Sequence, residues 1–296
     1  MKKTKNIAPF LVLASALLFA SGGFLLKLVS WHPMAVSAGR SMVAAVEILC
    51  YMALRKHKLV INKAVLLGGA AMGLSSTFYV LANRFTTAAN AILIQFTAPI
   101  FIILFLWVIF REKPGKLDIA ATVILFAGMV LFFLESLSGE GMFGNFMALL
   151  SGITYALVFM MKRFDGADTV SSVFIGCVIA SVLGLPWVLT EQAITLPSVG
   201  GMILIGLFQF GLPYICLAEG LVGTPPVAAS LISMIEPVLN PILAAIIVHE
   251  RLGTLALIGA AIVIIGSLVY NVLKEYLNQR ESAEALKDTT LSGKHT

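Results

Sequence analysis

Three ionisable side chains lie inside stretches that are otherwise apolar: Arg40, Glu47 and Glu236. Holding a charge there is expensive, so such a residue marks a solute pathway, an ion relay or a structural pair. Glu236 stands in Ser233-Met-Ile-Glu-Pro-Val-Leu-Asn240, roughly 15 Å deep at the rise of an α-helix. A carboxyl in that setting is either neutral or paired. It can exchange a proton, hold a substrate amine, or accept a hydrogen bond that joins two helices. Asn240 follows at i+4 and shares its face. Glu47 is the second candidate for proton coupling, unless it lies close to the membrane surface. Arg40 is on the same face but about 10.5 Å away along the helix, too far for direct pairing. It is expected to snorkel toward the outer end of its helix.

Uncharged polar residues complete a candidate substrate pathway: Tyr79, Asn90, Gln95, Tyr155, Gln209 and Tyr214, together with Glu236 and Asn240. Polar groups that converge from several helices on a mostly apolar cavity are what a selective small-molecule site requires. Each of them taken singly is also explained as interhelical glue. Nucleophilic and metal chemistry have no such support. Cys50, Cys177 and Cys216 sit in apolar runs without a Cys-x-x-Cys pair and read as inert thiols. His32 and His249 fall in loops without metal-ligand spacing. There is no HExxH, GxSxG or phosphate-binding Gly-x-x-x-x-Gly-Lys motif, so neither an enzyme nor a self-contained ATPase is expected, and no cofactor.

The elements that carry these residues are membrane spans. Of 296 residues, 59% are hydrophobic and 12% charged, with mean hydropathy +0.98. Soluble domains carry about 25% charged residues, so lipid is the solvent that fits. Ten stretches are long enough to cross a bilayer: 8–29, 34–54, 64–83, 86–110, 118–134, 144–162, 170–189, 198–217, 226–248 and 254–273, numbered here as spans one to ten. Span one follows a basic start, yet it is longer than the apolar core of a signal peptide. With the N-terminus in the cytoplasm, 16 of the 20 Lys and Arg residues fall in inside segments, which puts both termini there. A net charge of +5 is thereby explained by topology rather than by nucleic acid. The polar tail 276–296 reads as cytoplasmic and disordered, most clearly from Asp288 on, with a continuation of span ten through 274–286 as the alternative.

The chain also repeats itself. Thr86-Thr-Ala-Ala-Asn-Ala-Ile-Leu-Ile-Gln-Phe-Thr-Ala-Pro99 aligns with Thr224-Pro-Pro-Val-Ala-Ala-Ser-Leu-Ile-Ser-Met-Ile-Glu-Pro237 at an offset of 138. The same offset matches Glu112 to Glu250 and Gly128 to Gly266, while Phe24-Leu-Leu-Lys27 echoes Phe159-Met-Met-Lys162 at 135. Two repeats follow, 1–137 and 138–275. Five spans per repeat is odd, so the second enters the membrane from the other side: an all-α protein of ten helices in two inverted-topology halves. Pro99 and Pro237 stand mid-span in matching places, each freeing a backbone carbonyl, as a hinge or as a static kink. Gly69-Ala-Ala-Met-Gly73 permits close helix approach, and either a monomer or a homodimer is compatible with it.

The duplicated motifs resemble the paired domains of the EamA-like family in the drug/metabolite transporter superfamily. The resemblance is carried by Ala16-Leu-Leu-Phe-Ala-Ser-Gly-Gly-Phe-Leu-Leu-Lys27, by Arg40, and by Ile235-Glu-Pro-Val238 with His249-Glu-Arg-Leu252. It implies a central cavity lined mainly by spans one, three, four, six, eight and nine. It implies a secondary transporter of the bacterial inner membrane, exporting small organic metabolites such as amino acids by alternating access, driven by the solute gradient or by a coupled ion, for which a proton is the candidate. A passive channel or facilitator is the alternative. Gly223-Thr-Pro-Pro226 departs from the family pattern, and span nine is expected to start at Pro225.

Overall fold

The computed structural model describes residues 2–21, 29–192, 194–248 and 252–292. Lys27, Phe24 and the His249-Glu250-Arg251 turn lie outside them. Every regular element among the described residues is helical. Among the described residues, nine helical stretches are long and apolar enough to cross a membrane, and a shorter apolar helix, Ile7–Phe19, begins span one. This is the architecture of about ten transmembrane helices.

Local chemistry sets the helix starts. His32 caps span two (Pro33–Leu54) by accepting from the Met34 N–H, and Asn62 caps span three (Lys63–Phe85) through the Val65 N–H. Asp168 caps span seven (Thr169–Leu189) through Ser171. Thr195 and Ser198 form a reciprocal capping box at the start of span eight. Span five is Lys116–Phe133 and span six Met142–Met160. In span nine the first helical residue is Pro226, with Pro225 as its cap, one residue later than expected.

Among the described residues, three spans are interrupted. Span four consists of helices Ala88–Gln95 and Ala98–Val108, and span nine of Pro226–Ser233 and Ile235–Val248. Span eight, Leu196–Leu221, contains a π-helical segment, Ile205–Gly211. Span ten runs without a break from Thr254 to Ser292, through the 274–286 continuation and a few residues into the stretch from Asp288 expected to be disordered. Its stretch from Lys274 to Leu286 holds three Glu, two Leu and two Ala, all strong helix formers, and it extends a helix already nucleated in the bundle.

The packing has a twofold pattern. Span two packs on span seven and span five on span ten. Span three packs on spans six and seven, and span eight on spans one and two. Span four packs on span six, and span nine on span one. Exchanging each span with the one five places along maps these contacts onto one another. Glycines allow the closest approaches. A Cβ on Gly69 or Gly73 of span three would come within 3 Å of Ile175 or Ile179 of span seven, so this small-residue stripe is used inside the bundle. Lipid-facing positions stay bulky, as with Val46 and Leu49 of span two.

Candidate functional site

The breaks in spans four and nine stand in matching places. Their first helices end at Gln95 and Ser233, 138 residues apart. Pro99 and Pro237 follow four residues later. Each lacks the N–H that would have bonded those carbonyls, so the α-helical ladder stops there. Span six closes on the break in span four, because a Cβ on Gly152 would come within 2.9 Å of the Gln95 carbonyl oxygen. The Gln95 side chain donates through Nε2 to Ser151 Oγ at 2.7 Å, and Ser151 Oγ donates to the Ser75 carbonyl at 2.9 Å. Spans four, six and three are thus joined by one polar chain at mid-membrane.

Around this chain lies a cavity of about 70 Å³. Six of the expected pathway residues line it: Tyr79, Gln95, Tyr155, Gln209, Tyr214 and Glu236. Phe19, Ser75, Ser76, Phe210 and Arg40 complete the wall. Its aromatic side is rigid, with Tyr214 edge-on to both Phe19 and Phe210 at 4.9 Å between ring centres. Tyr155 meets Phe96 and Phe159 in the same geometry. The spans that line it are those the resemblance implied, with span two added through Arg40.

Arg40 corrects the sequence reading most sharply. It does not snorkel: it is 8% exposed and faces the cavity. Its Nη1 donates to Gln209 Oε1 at 3.5 Å and its Nη2 to Ser76 Oγ at 3.4 Å. The guanidinium lies 4.4 Å from the centre of the Phe210 ring. Nε has no hydrogen-bond partner among the described residues. A guanidinium has five N–H donors, and two long hydrogen bonds leave most of that capacity for an anionic group. The signal was present in the sequence. Met42, Val46 and Leu49 form the lipid-facing stripe of span two, while Arg40 stands with Ser37, Ser41 and Ala44 on the other side.

The π-helical segment explains how span eight meets span two. In an α-helix, positions five apart point about 140° away from each other. The wider π turn brings Gly206 and Gly211 to one side. There Gly206 lies against Val43, and Gly211 against the Glu47 carboxylate. Gln209 and Phe210, between them, reach Arg40. The next helix starts at Leu212, and Pro213 in its first turn lacks the N–H that the Gln209 carbonyl would accept in an α-helix.

The other expected residues are placed apart. Asn90 belongs to the loop end of span four. Its Nδ2 donates to the Ser138 carbonyl at 2.7 Å and to Asn145 Oδ1 at 3.2 Å, while its Oδ1 accepts from the Ser138 N–H. It ties spans four and six together outside the cavity. Asn240 is half-buried, one turn beyond Glu236, and is not part of the wall. Glu47 is half-buried between spans two and eight, its Oε2 without a hydrogen-bond partner among the described residues. A separate apolar groove of about 430 Å³ lies on the outside of spans four and five, lined by residues such as Ile100, Val123 and Phe126. Its one hydroxyl, Thr122, donates to its own helix at the Asp118 carbonyl.

Comparison with known proteins agrees with this architecture. The EamA-like transporter family matches twice, at residues 6–134 and 142–272. A protein of Clostridium kluyveri described as an uncharacterized transporter is 27% identical over 220 residues, covering 69% of this chain and 70% of its own. The uncharacterized transporter YwfM of Bacillus subtilis is 27% identical over 295 residues, covering 94% of this chain and 98% of its own. A solved crystal structure superposes with a TM-score of 0.79 over 91% of this chain and 98% of that one; at 17% identity it speaks to the fold alone. With two copies of the family's domain spanning nearly its whole length, this multi-pass membrane protein belongs to the EamA-like transporter family.

Proposed function

We propose that the chain is a secondary transporter that exports small zwitterionic metabolites, amino acids or related compounds, by alternating access. The observation that carries this reading is a cation and a carboxyl, Arg40 and Glu236, on the wall of one mid-membrane cavity. Arg40 suits a substrate carboxylate and Glu236 an amine, with Gln95, Gln209 and the tyrosines orienting the remainder. At about 70 Å³ the cavity is far below the roughly 300–1,000 Å³ of a ligand site, so the state described here is contracted. Transport requires it to widen. The breaks before Pro99 and Pro237 lie beside the wall residues Gln95 and Glu236, which supports them as hinges. The halves 1–137 and 138–275 act as the two inverted repeats. Both termini lie on the cytoplasmic side of a bacterial inner membrane, in keeping with the charge asymmetry. Glu236 carries the coupled proton, and Glu47 is the second candidate. A contracted cavity argues against an open passive channel.

Uptake and efflux in proteoliposomes, run against a metabolite panel with and without a pH gradient, test the reading. Movement of a zwitterionic solute that the gradient accelerates is expected. A broad panel in which nothing moves in either direction overturns it. Proton dependence that survives both Glu236→Gln and Glu47→Gln removes these residues as the coupling site.

A further inference from the structure

Among the contacts that join the two halves, two clusters stand at opposite faces of the membrane. At the face that carries the N-terminus, the loop after span two meets the loop before span seven. His57 Nε2 and Asp168 Oδ1 are 3.0 Å apart. The Val60 N–H donates to Ser171 Oγ at 3.0 Å, and Asn62 Nδ2 donates to the Gly166 carbonyl at 2.8 Å. At the opposite face, the loop before span two meets the loop after span seven. The His32 N–H donates to Glu191 Oε2 at 2.8 Å, Trp31 Nε1 donates to Ser198 Oγ at 3.1 Å, and the His32 ring stacks on Trp187.

These clusters are counterparts under the exchange of halves. Asp168 caps span seven and His32 caps span two. His57 follows the end of span two, and Glu191 the end of span seven. Each cluster therefore pairs a histidine of the first half with an acid of the second, with the capping and loop roles exchanged. Each also bridges spans that carry the cavity wall. The first joins the loop of spans two and three, which bear Arg40 and Ser76, to the loop after span six, which bears Tyr155. The second joins the loop entering span two to the start of span eight, which bears Gln209.

We propose that these clusters are paired latches. Each closes the seam between the halves at its own face, and each must release before the cavity opens there. Both are closed in the structure, together with a cavity of about 70 Å³, as a contracted intermediate requires. The inference rests on the alternating-access reading above.

The test uses the full chain with Cys50, Cys177 and Cys216 replaced by alanine and Ser76→Cys as a reporter in the cavity wall. A membrane-impermeant thiol reagent is applied to right-side-out and to inverted vesicles. Asp168→Ala is expected to raise labelling from the N-terminal face by about fivefold, the population shift that one lost hydrogen bond produces, and to lower it from the other face. Glu191→Ala with Trp31→Phe is expected to do the reverse. The exchanged pair, His57→Asp with Asp168→His, is expected to restore protection, since a histidine already caps the equivalent helix at position 32. That variant separates release of a latch from damage to the fold. If the reporter labels from both faces but the latch variants change neither rate, the latches are refuted and alternating access stands. If it labels from one face only in every variant, both ideas fail.

Discussion

At the scale of single residues, the site turns on a guanidinium that the membrane would not tolerate alone. Arg40 is kept by two polar neighbours, an aromatic face and a cavity, a combination that a single structural hydrogen bond would not need. Arg40→Ala is expected to leave a folded protein and to lower transport of a zwitterionic substrate by about tenfold or more, as loss of a hydrogen-bonded charge implies. Arg40→Lys keeps the charge but loses the planar fork, so proteoliposome flux should recover only in part. Asp168, outside the spans, gives a pH signature. Burial pushes its carboxyl up, but the hydrogen bonds from Ser171 and the contact with His57 outweigh this and hold it below the ordinary carboxylate value. A depressed folded pKa means the stabilisation is present above the unfolded value, about 3.9, and is lost as pH falls through the folded one. Thermal melts of Asp168→Asn should therefore lie below wild type at pH 7 and converge with it in acid below about pH 4. Asparagine preserves the helix cap, whereas Asp168→Ala loses about 1 kcal/mol more with it.

At the scale of elements, the informative feature is helix interruption. Both proline breaks were legible, since proline acts through local covalent geometry: it removes the fourth-residue hydrogen bond wherever it stands. Pro99→Ala restores the N–H that can bond the Gln95 carbonyl and continues the helix. Circular dichroism and thermal melts should show a protein at least as stable, while transport slows because the bend is lost. Pro237→Ala should behave alike. An unchanged turnover in both variants would make the breaks static kinks. The π-helical segment of span eight was not legible in this way. No residue type forces a π turn. Gly206 and Gly211 form one close-packed face only because span two presents Val43 and Glu47 to them. For the same reason Asn90 looked like a pathway residue: an amide in an apolar span has the same type whether it meets a solute or the Ser138 backbone.

At the scale of the whole molecule, the exchange of spans that preserves the packing pairs two with seven and five with ten. On the proposed alternating-access reading, such a bundle opens at either face by the same relative movement of its halves. The orientation proposed from the basic residues is checked by single-cysteine labelling. Ser138→Cys should react with an impermeant reagent outside the cell, and Lys58→Cys only after the membrane is opened. The reverse pattern would invert the topology and with it the assignment of the two faces.

The ten apolar stretches, their doubling at a constant offset and the matched prolines were determined by sequence alone. These depend on composition, on spacing along the chain and on what a backbone can do without an N–H. Which polar side chains share a cavity was decided only by the tertiary structure. Tyr79, Gln95, Tyr155, Gln209, Tyr214 and Glu236 converge, while Asn90 and Asn240 do not, and Arg40 turns inward instead of toward the surface. Helical period says which face a residue occupies. The direction of that face is set by the neighbour that fits closest, and here glycine contacts between distant spans make that choice.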